Sequence, residues 1–226
     1  MTTVAIHQPQ FLPYLGFFHK VASCDLFVVL DEVQFQWRGV QHRNRIKTDK
    51  GARWLTVPVL HGSHQRTNEV EIDPTEPWQR RQMNALRASY ARAPFYREYA
   101  PELHRILERS WSRIAELDDA LTAWVMHAAS ITTPTVRQSE LGVDGHSSEL
   151  LAGICNAVGA DRYLSGPGGR RYMDLGIFED AGVTVVWQEF TPPRYEQMFP
   201  EAGFLPDLSV VDALFSCGPD VKGFLG

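Results

Sequence analysis

Cysteine is scarce in this chain of 226 residues. Cys24, Cys155 and Cys217 are odd in number and far apart, and none belongs to a CxxC pair. That argues against a disulfide framework and gives a zinc site no support. No stretch approaches the ~20 consecutive apolar residues a membrane helix needs, and residues 1–10 lack a cationic segment followed by an apolar run, so no signal peptide is expected. Excess positive charge is missing too. The 22 Lys and Arg stand against 27 Asp and Glu, a net charge of −5, whereas a protein that neutralises many phosphates is normally basic. Duplex nucleic acid and membrane are therefore not expected partners. GxSxG, HExxH, GxGxxG and GK[ST] are all absent, which removes the usual support for serine hydrolase, zinc enzyme, dinucleotide and P-loop readings. The expectation is a cytoplasmic protein with no metal and no cofactor.

What is present is 44% hydrophobic and 22% charged sequence, enough for a single domain with a real core over 1–226. Val4–Ile6 is a short apolar run stopped by His7-Gln8-Pro9, since proline cannot donate to a sheet. Tyr14–Ala22 has helical spacing, and Leu26–Leu30 is a continuous apolar run, the signature of a strand covered on both faces in a parallel sheet. Trp54–Leu60 and Val70–Ile72 read as further strands. Helical periodicity then dominates over 78–90, 94–109 and 116–129, with Pro101 expected in a first turn. Strand and helix alternate again after Thr135–Gln138: a helix over Ser147–Val158, capped by Ser147 or Ser148 and ended by Gly159, a strand at Arg162–Leu164, a helix over Met173–Ala181, a strand at Val183–Phe190 and a last helix near Val210–Phe215. The fold class is α/β: a Rossmann-like, mostly parallel sheet from segments 1–75 and 135–226, with a helical insertion or subdomain over 76–134.

Ligands of open parallel sheets gather beyond the carboxyl ends of the strands. His7-Gln8 and Asp31-Glu32 stand at two such ends. If the strands are neighbours, Asp31 orients the His7 imidazole and raises its pKa, as suits a general base; otherwise Asp31 caps a turn and His7 is a satisfied buried group. Adjacent strand residues point to opposite faces, which argues against a shared metal ion at Asp31-Glu32. The stretch with Gln34, Trp37, Arg43, Asn44 and Arg45 combines arginine forks, amides and aromatics that suit a small anionic ligand, or else forms a solvated basic loop. Ser165-Gly166-Pro167-Gly168-Gly169 links a strand to a helix, where glycines either turn backbone N–H groups toward an anion or satisfy a tight turn of positive φ. Cys155 sits mid-helix on the side of Leu151 and Val158; core filler is the bland reading, a reserve nucleophile the sharper one.

Taken in order, Ile6-His7-Gln8-Pro9, Phe11-Leu12-Pro13-Tyr14-Leu15-Gly16-Phe17-Phe18, Phe27–Gln34, Arg43–Lys47, Trp54–Val59, Tyr163-Leu164-Ser165-Gly166 with Tyr172, and Leu208–Asp212 resemble the WbqC-like family over almost the whole chain. The resemblance implies an acyl or aminoacyl transferase that forms an amide on an amine acceptor, such as an amino sugar or a natural-product intermediate. Its partners would be that small-molecule acceptor and an acyl-carrier protein or CoA thioester donor. In that reading His7 and Asp31 are catalytic. Gln8, Tyr14, Gln34, Trp37, Arg43, Asn44, Arg45, Ser165, Gly166 and Tyr172 bind substrate. The opening strand, Pro13–Phe17 and second strand are also similar to the start of HIGH-signature nucleotidylyltransferases, though without their paired histidines. A nucleotide-dependent enzyme is the alternative, and a non-catalytic carrier-protein or sugar-nucleotide binder the third reading.

Overall fold

The computed structural model describes every residue from Met1 to Gly226. In chain order the elements are β1 (Thr3–His7), α1 (Leu15–Ala22), β2 (Leu26–Val29), β3 (Arg43–Thr48), β4 (Gly51–Thr56), β5 (Val59–Leu60), β6 (Glu71–Ile72), α2 (Trp78–Tyr90), α3 (Tyr96–Glu108), α4 (Ile114–Ala128), β7 (Thr135–Arg137), α5 (Gln138–Leu141), α6 (Ser147–Ala157), β8 (Arg162–Ser165), α7 (Leu175–Asp180), β9 (Thr184–Trp187) and α8 (Val210–Cys217). Five of the strands form one parallel sheet in the order β7-β2-β1-β8-β9. This is the α/β architecture expected from the alternating pattern. No helix is long and apolar enough to cross a membrane.

Strand side chains alternate between faces, and the core divides accordingly. Ala5, Phe27 and Val29 join a large cluster with α1, α8 and the helices α2–α4. Val4, Ile6 and Val28 join a smaller one with α6 and α7. Both faces being covered explains why β1 and β2 read as unbroken apolar runs. His7 shares the parity of Ala5, so its ring turns toward α1 and meets Phe17 edge-on at 5.2 Å.

Several local expectations need correction. Trp54–Leu60 is two strands, because Pro58 interrupts the ladder; β4 pairs antiparallel with β3 in a hairpin, and β5 pairs with β6. Pro101 lies in the second turn of α3 rather than the first; the helix continues through it with one backbone donor fewer. At α6 the cap position is His146, with no side-chain cap bond, and Ser148 instead accepts a hydrogen bond from the Asp174 N–H at 2.9 Å. Gly159 does end that helix region, at φ +65°.

A buried polar knot ties the hairpin to the helices. The Asp212 carboxylate at the start of α8 accepts hydrogen bonds from the Tyr90 and Tyr195 hydroxyls, both at 2.8 Å. Tyr90 Oη in turn accepts from the Lys47 N–H at 3.0 Å. The Lys47 ammonium, itself buried, donates to the Gly203 carbonyl at 2.6 Å and to Gln197 Oε1 at 3.3 Å. The Leu208–Asp212 segment is thus a structural clasp.

Candidate active site at the strand-order switch

The sheet grows from β1 in one direction through β2 and β7, then in the other through β8 and β9. Where the order reverses, the connections leave in opposite directions and a crevice opens beyond the carboxyl ends of the two central strands. A cavity of about 600 Å³ occupies this place, and His7, Gln8, Tyr14, Ser165, Gly166 and Tyr172 all line it. Six residues singled out from opposite ends of the chain converge there because β1 and β8 pair directly.

Within the cavity wall His7 is densely surrounded but keeps an open side. Its Nδ1 lies 3.0 Å from the Gln8 carbonyl oxygen, so Nδ1 carries the proton and donates it to that carbonyl, leaving the Nε2 lone pair without a protein partner. The Gln10 amide nitrogen is 3.5 Å from the same Nδ1, but as a donor it cannot bond a ring nitrogen that carries the proton. Burial, reinforced by the positive charge of Lys20, pushes the imidazole pKa down to about 3, against the smaller opposing effect of the Gln8 carbonyl.

Asp31 does not orient this ring. It is only 3% exposed, and its oxygens accept hydrogen bonds from the Ser139 N–H at 3.1 Å, the Ser139 hydroxyl at 2.7 Å and the Asn68 amide at 3.5 Å. The first turn of the short α5 claims the carboxylate, and a carboxylate there meets both free amides and the positive end of the helix. His7 and Asp31 stand on neighbouring strands, as expected, yet no hydrogen bond joins them; Asp31 is the cap of the bland reading. Asp31→Ala is accordingly expected to lower unfolding free energy by about 2–3 kcal/mol, since it strands buried donors, as urea denaturation would measure. A loss of stability below about 0.5 kcal/mol would remove it from this role.

The basic stretch also departs from expectation. Arg43, Asn44 and Arg45 lie on β3 of the β3–β4 hairpin, Gln34 and Trp37 in the loop before it, and none of the five lines the cavity, although Gln36 between them does. Asn44 is buried and donates to the carbonyls of Phe11 and Leu12 at 3.3 and 2.7 Å, holding the loop in which Leu12 has φ +44°. Arg43 bonds the Arg38 carbonyl and covers the Trp54 ring at 4.4 Å, with Arg45 at 5.9 Å from the same ring. Trp37 stacks on His61 at 4.3 Å and His42 at 5.2 Å. Gln34 forms an isolated bridge with Arg66 and lines a separate polar hollow. Cys155 is fully enclosed in the smaller core, and burial pushes its thiol up to about 12, which leaves no thiolate for nucleophilic attack.

None of the three glycines in the β8 loop has positive φ, so no left-handed turn requires them; close packing accounts for Gly169, while a Cβ at Gly168 would meet nothing within 4 Å. A Cβ at Gly169 would overlap Ser165 Oγ and lie 2.8 Å from the Met173 sulfur. The Gly169 N–H is spent on the Gly166 carbonyl at 3.0 Å, so it is not free to face an anion.

Lys20 was not singled out by the sequence. It projects from α1 into the same cavity, is 5% exposed, and has no ion pair or hydrogen bond from its ammonium. Burial pushes its pKa down to about 8. The signal was its place one turn beyond Gly16 on the face that α1 turns to the sheet. A lysine in a last helical turn, however, also reads as a dipole partner. On the same side, Gln188 donates to the Gly16 carbonyl at 2.7 Å and approaches His19 Nδ1 at 3.0 Å, fixing α1 to the segment after β9.

Comparison with known proteins adds family identity. The family model described as "WbqC-like protein family" matches residues 8–222. The chain is 33% identical over 229 residues to "Uncharacterized protein Rv1507c" of Mycobacterium tuberculosis, covering 100% of this chain and 98% of that one. No solved structure matches.

Proposed function

We propose, for a chain that belongs to the WbqC-like protein family, that the switch-point cavity transfers an acyl or aminoacyl group from a thioester to an amine. The observation that carries this reading is His7 itself: a neutral imidazole at the end of β1 that lines the cavity, its Nδ1–H fixed on the Gln8 carbonyl and its Nε2 without a protein partner. When a neutral amine attacks a thioester carbon, the new C–N bond makes the nitrogen far more acidic than a free ammonium. A weakly basic imidazole suffices to take that proton, and its weak basicity keeps it unprotonated beforehand. The C–S bond then breaks and the departing thiolate takes the proton from His7, so thioester and amine give amide and thiol. The acceptor in this reading is an amino sugar or natural-product intermediate, and the donor a CoA or carrier-protein thioester.

A nucleotide-dependent reaction is the second reading. It is favoured by the sheet order, since cavities at such switch points hold nucleotides in other doubly wound proteins. Melting temperature separates the two. Acyl-CoA thioesters are expected to stabilise the protein and ATP or CTP with Mg²⁺ to have no effect; the opposite pattern would replace acyl transfer with nucleotide chemistry.

A further inference from the structure

We propose that Lys20 is the receptor for an anionic group, a phosphate ester or a carboxylate, on the molecule that fills the switch-point cavity. This role rests on the cavity being the substrate site proposed above, but it holds whichever group is transferred there.

Buried lysines are nearly always paired, because an ammonium out of water needs an opposite charge or several acceptors. Lys47 obeys that rule within this same chain: at 1% exposure its ammonium reaches the Gly203 carbonyl and Gln197. Lys20 at 5% exposure reaches nothing, and none of the five ion pairs includes it. The cavity it faces has 19 lining residues, and not one is Asp or Glu, in a chain where acids outnumber bases. A hollow with one uncompensated cation and no anion selects a negatively charged occupant.

The immediate surroundings have room for such a group. A Cβ on Gly166 would sit 3.1 Å from the Lys20 nitrogen, so glycine at this position keeps the ammonium uncrowded at the end of β8. Gln8 turns its Oε1 toward Gln41, at 3.2 Å, and keeps its amide N–H groups free of protein partners. His7, its Nε2 unpartnered, feels this charge, Tyr14, Tyr163 and Tyr172 are the other titratable groups of the lining, and Cys24, outside the lining, partly offsets the fall in the lysine pKa. An anion bound here would offset the desolvation that has driven the lysine pKa down to about 8.

The test compares wild type with Lys20→Met in sodium phosphate, sodium acetate and sodium chloride at equal ionic strength. Without added ligand, Lys20→Met is expected to melt higher than wild type, because a buried charge has been removed. Phosphate or acetate should raise the melting temperature of wild type beyond the chloride control, with affinity lowered about tenfold or more in Lys20→Met, as a lost charge-assisted contact implies. A response to phosphate alone identifies a phosphate-bearing ligand, and one to acetate alone a carboxylate. Equal stabilisation of both proteins, or none of wild type, overturns the assignment. If the methionine variant does not fold, Lys20→Gln is judged by the same criteria. His7→Ala should keep the anion response, so a protein that binds phosphate or acetate through Lys20 but transfers no acyl group refutes the reaction and not the site.

Discussion

Alanine at His7 is expected to slow amide formation by about 10²–10⁴-fold, the usual contribution of a positioned proton acceptor, with the protein still folded. Amine and thioester still meet in the cavity, but nothing takes the proton from the attacking nitrogen. A pH profile makes the test specific. With the imidazole pKa near 3, kcat/KM of wild type should show no acid limb from His7 between pH 5 and 7, where an unperturbed histidine would titrate. Stability follows the same linkage. The unfolded chain takes up a proton on this group below about pH 6.5 and the folded chain does not, so the folded state loses stability as pH falls from there toward 3. His7→Ala should remove that part of the acid dependence. Steady-state turnover of an acyl-CoA with an amine, read from pH 5 to 8, checks both; a variant within threefold of wild type would exclude His7 as the proton acceptor.

Asp212→Ala is expected to be the most damaging single change to stability, by about 3–5 kcal/mol. The carboxylate is fully buried and accepts both tyrosine hydroxyls, so its removal leaves the Tyr90 and Tyr195 O–H donors without an acceptor and withdraws a negative charge that interacts with Lys47. Burial raises the Asp212 pKa, with the tyrosines and Lys47 holding it back. Asp212→Asn should recover part of the loss, because the amide oxygen can still accept one hydroxyl. Urea denaturation measures both variants. A loss below about 1 kcal/mol for alanine would mean that the clasp relaxes without cost.

Much of the fold was legible because the apolar pattern and the layers agree. The helix over 78–90 is found at those same residues: Trp78, Gln82, Ala85, Leu86 and Ser89 recur at helical spacing and all face inward. The double-covered strands β1 and β2 announced themselves as apolar runs. The β3–β4 hairpin did not, since Arg43–Thr48 alternates charged, amide and apolar residues, and its strand character depends on pairing with Gly51–Thr56. Pairing across a turn is not a local property. At the site, β1 and β8 ends could be located from the strand breaks, and six expected residues do share one cavity. The partner of Asp31 could not be read, because α5 spans only Gln138–Leu141 and gives no periodic signal, yet its Ser139 lies 108 residues away in sequence. Lys20 was hidden for a related reason: its isolation from every acid is a property of the assembled cavity.

The most direct test of the account is a crystal structure of the protein soaked with an acyl-CoA thioester. The expected result is ligand density beyond the ends of β1 and β8, with an anionic group against the Lys20 ammonium and the acyl carbon beside His7 Nε2. Density seated instead on the Arg43–Trp54 face of the hairpin, with the cavity between His7 and Gly166 vacant, would contradict it.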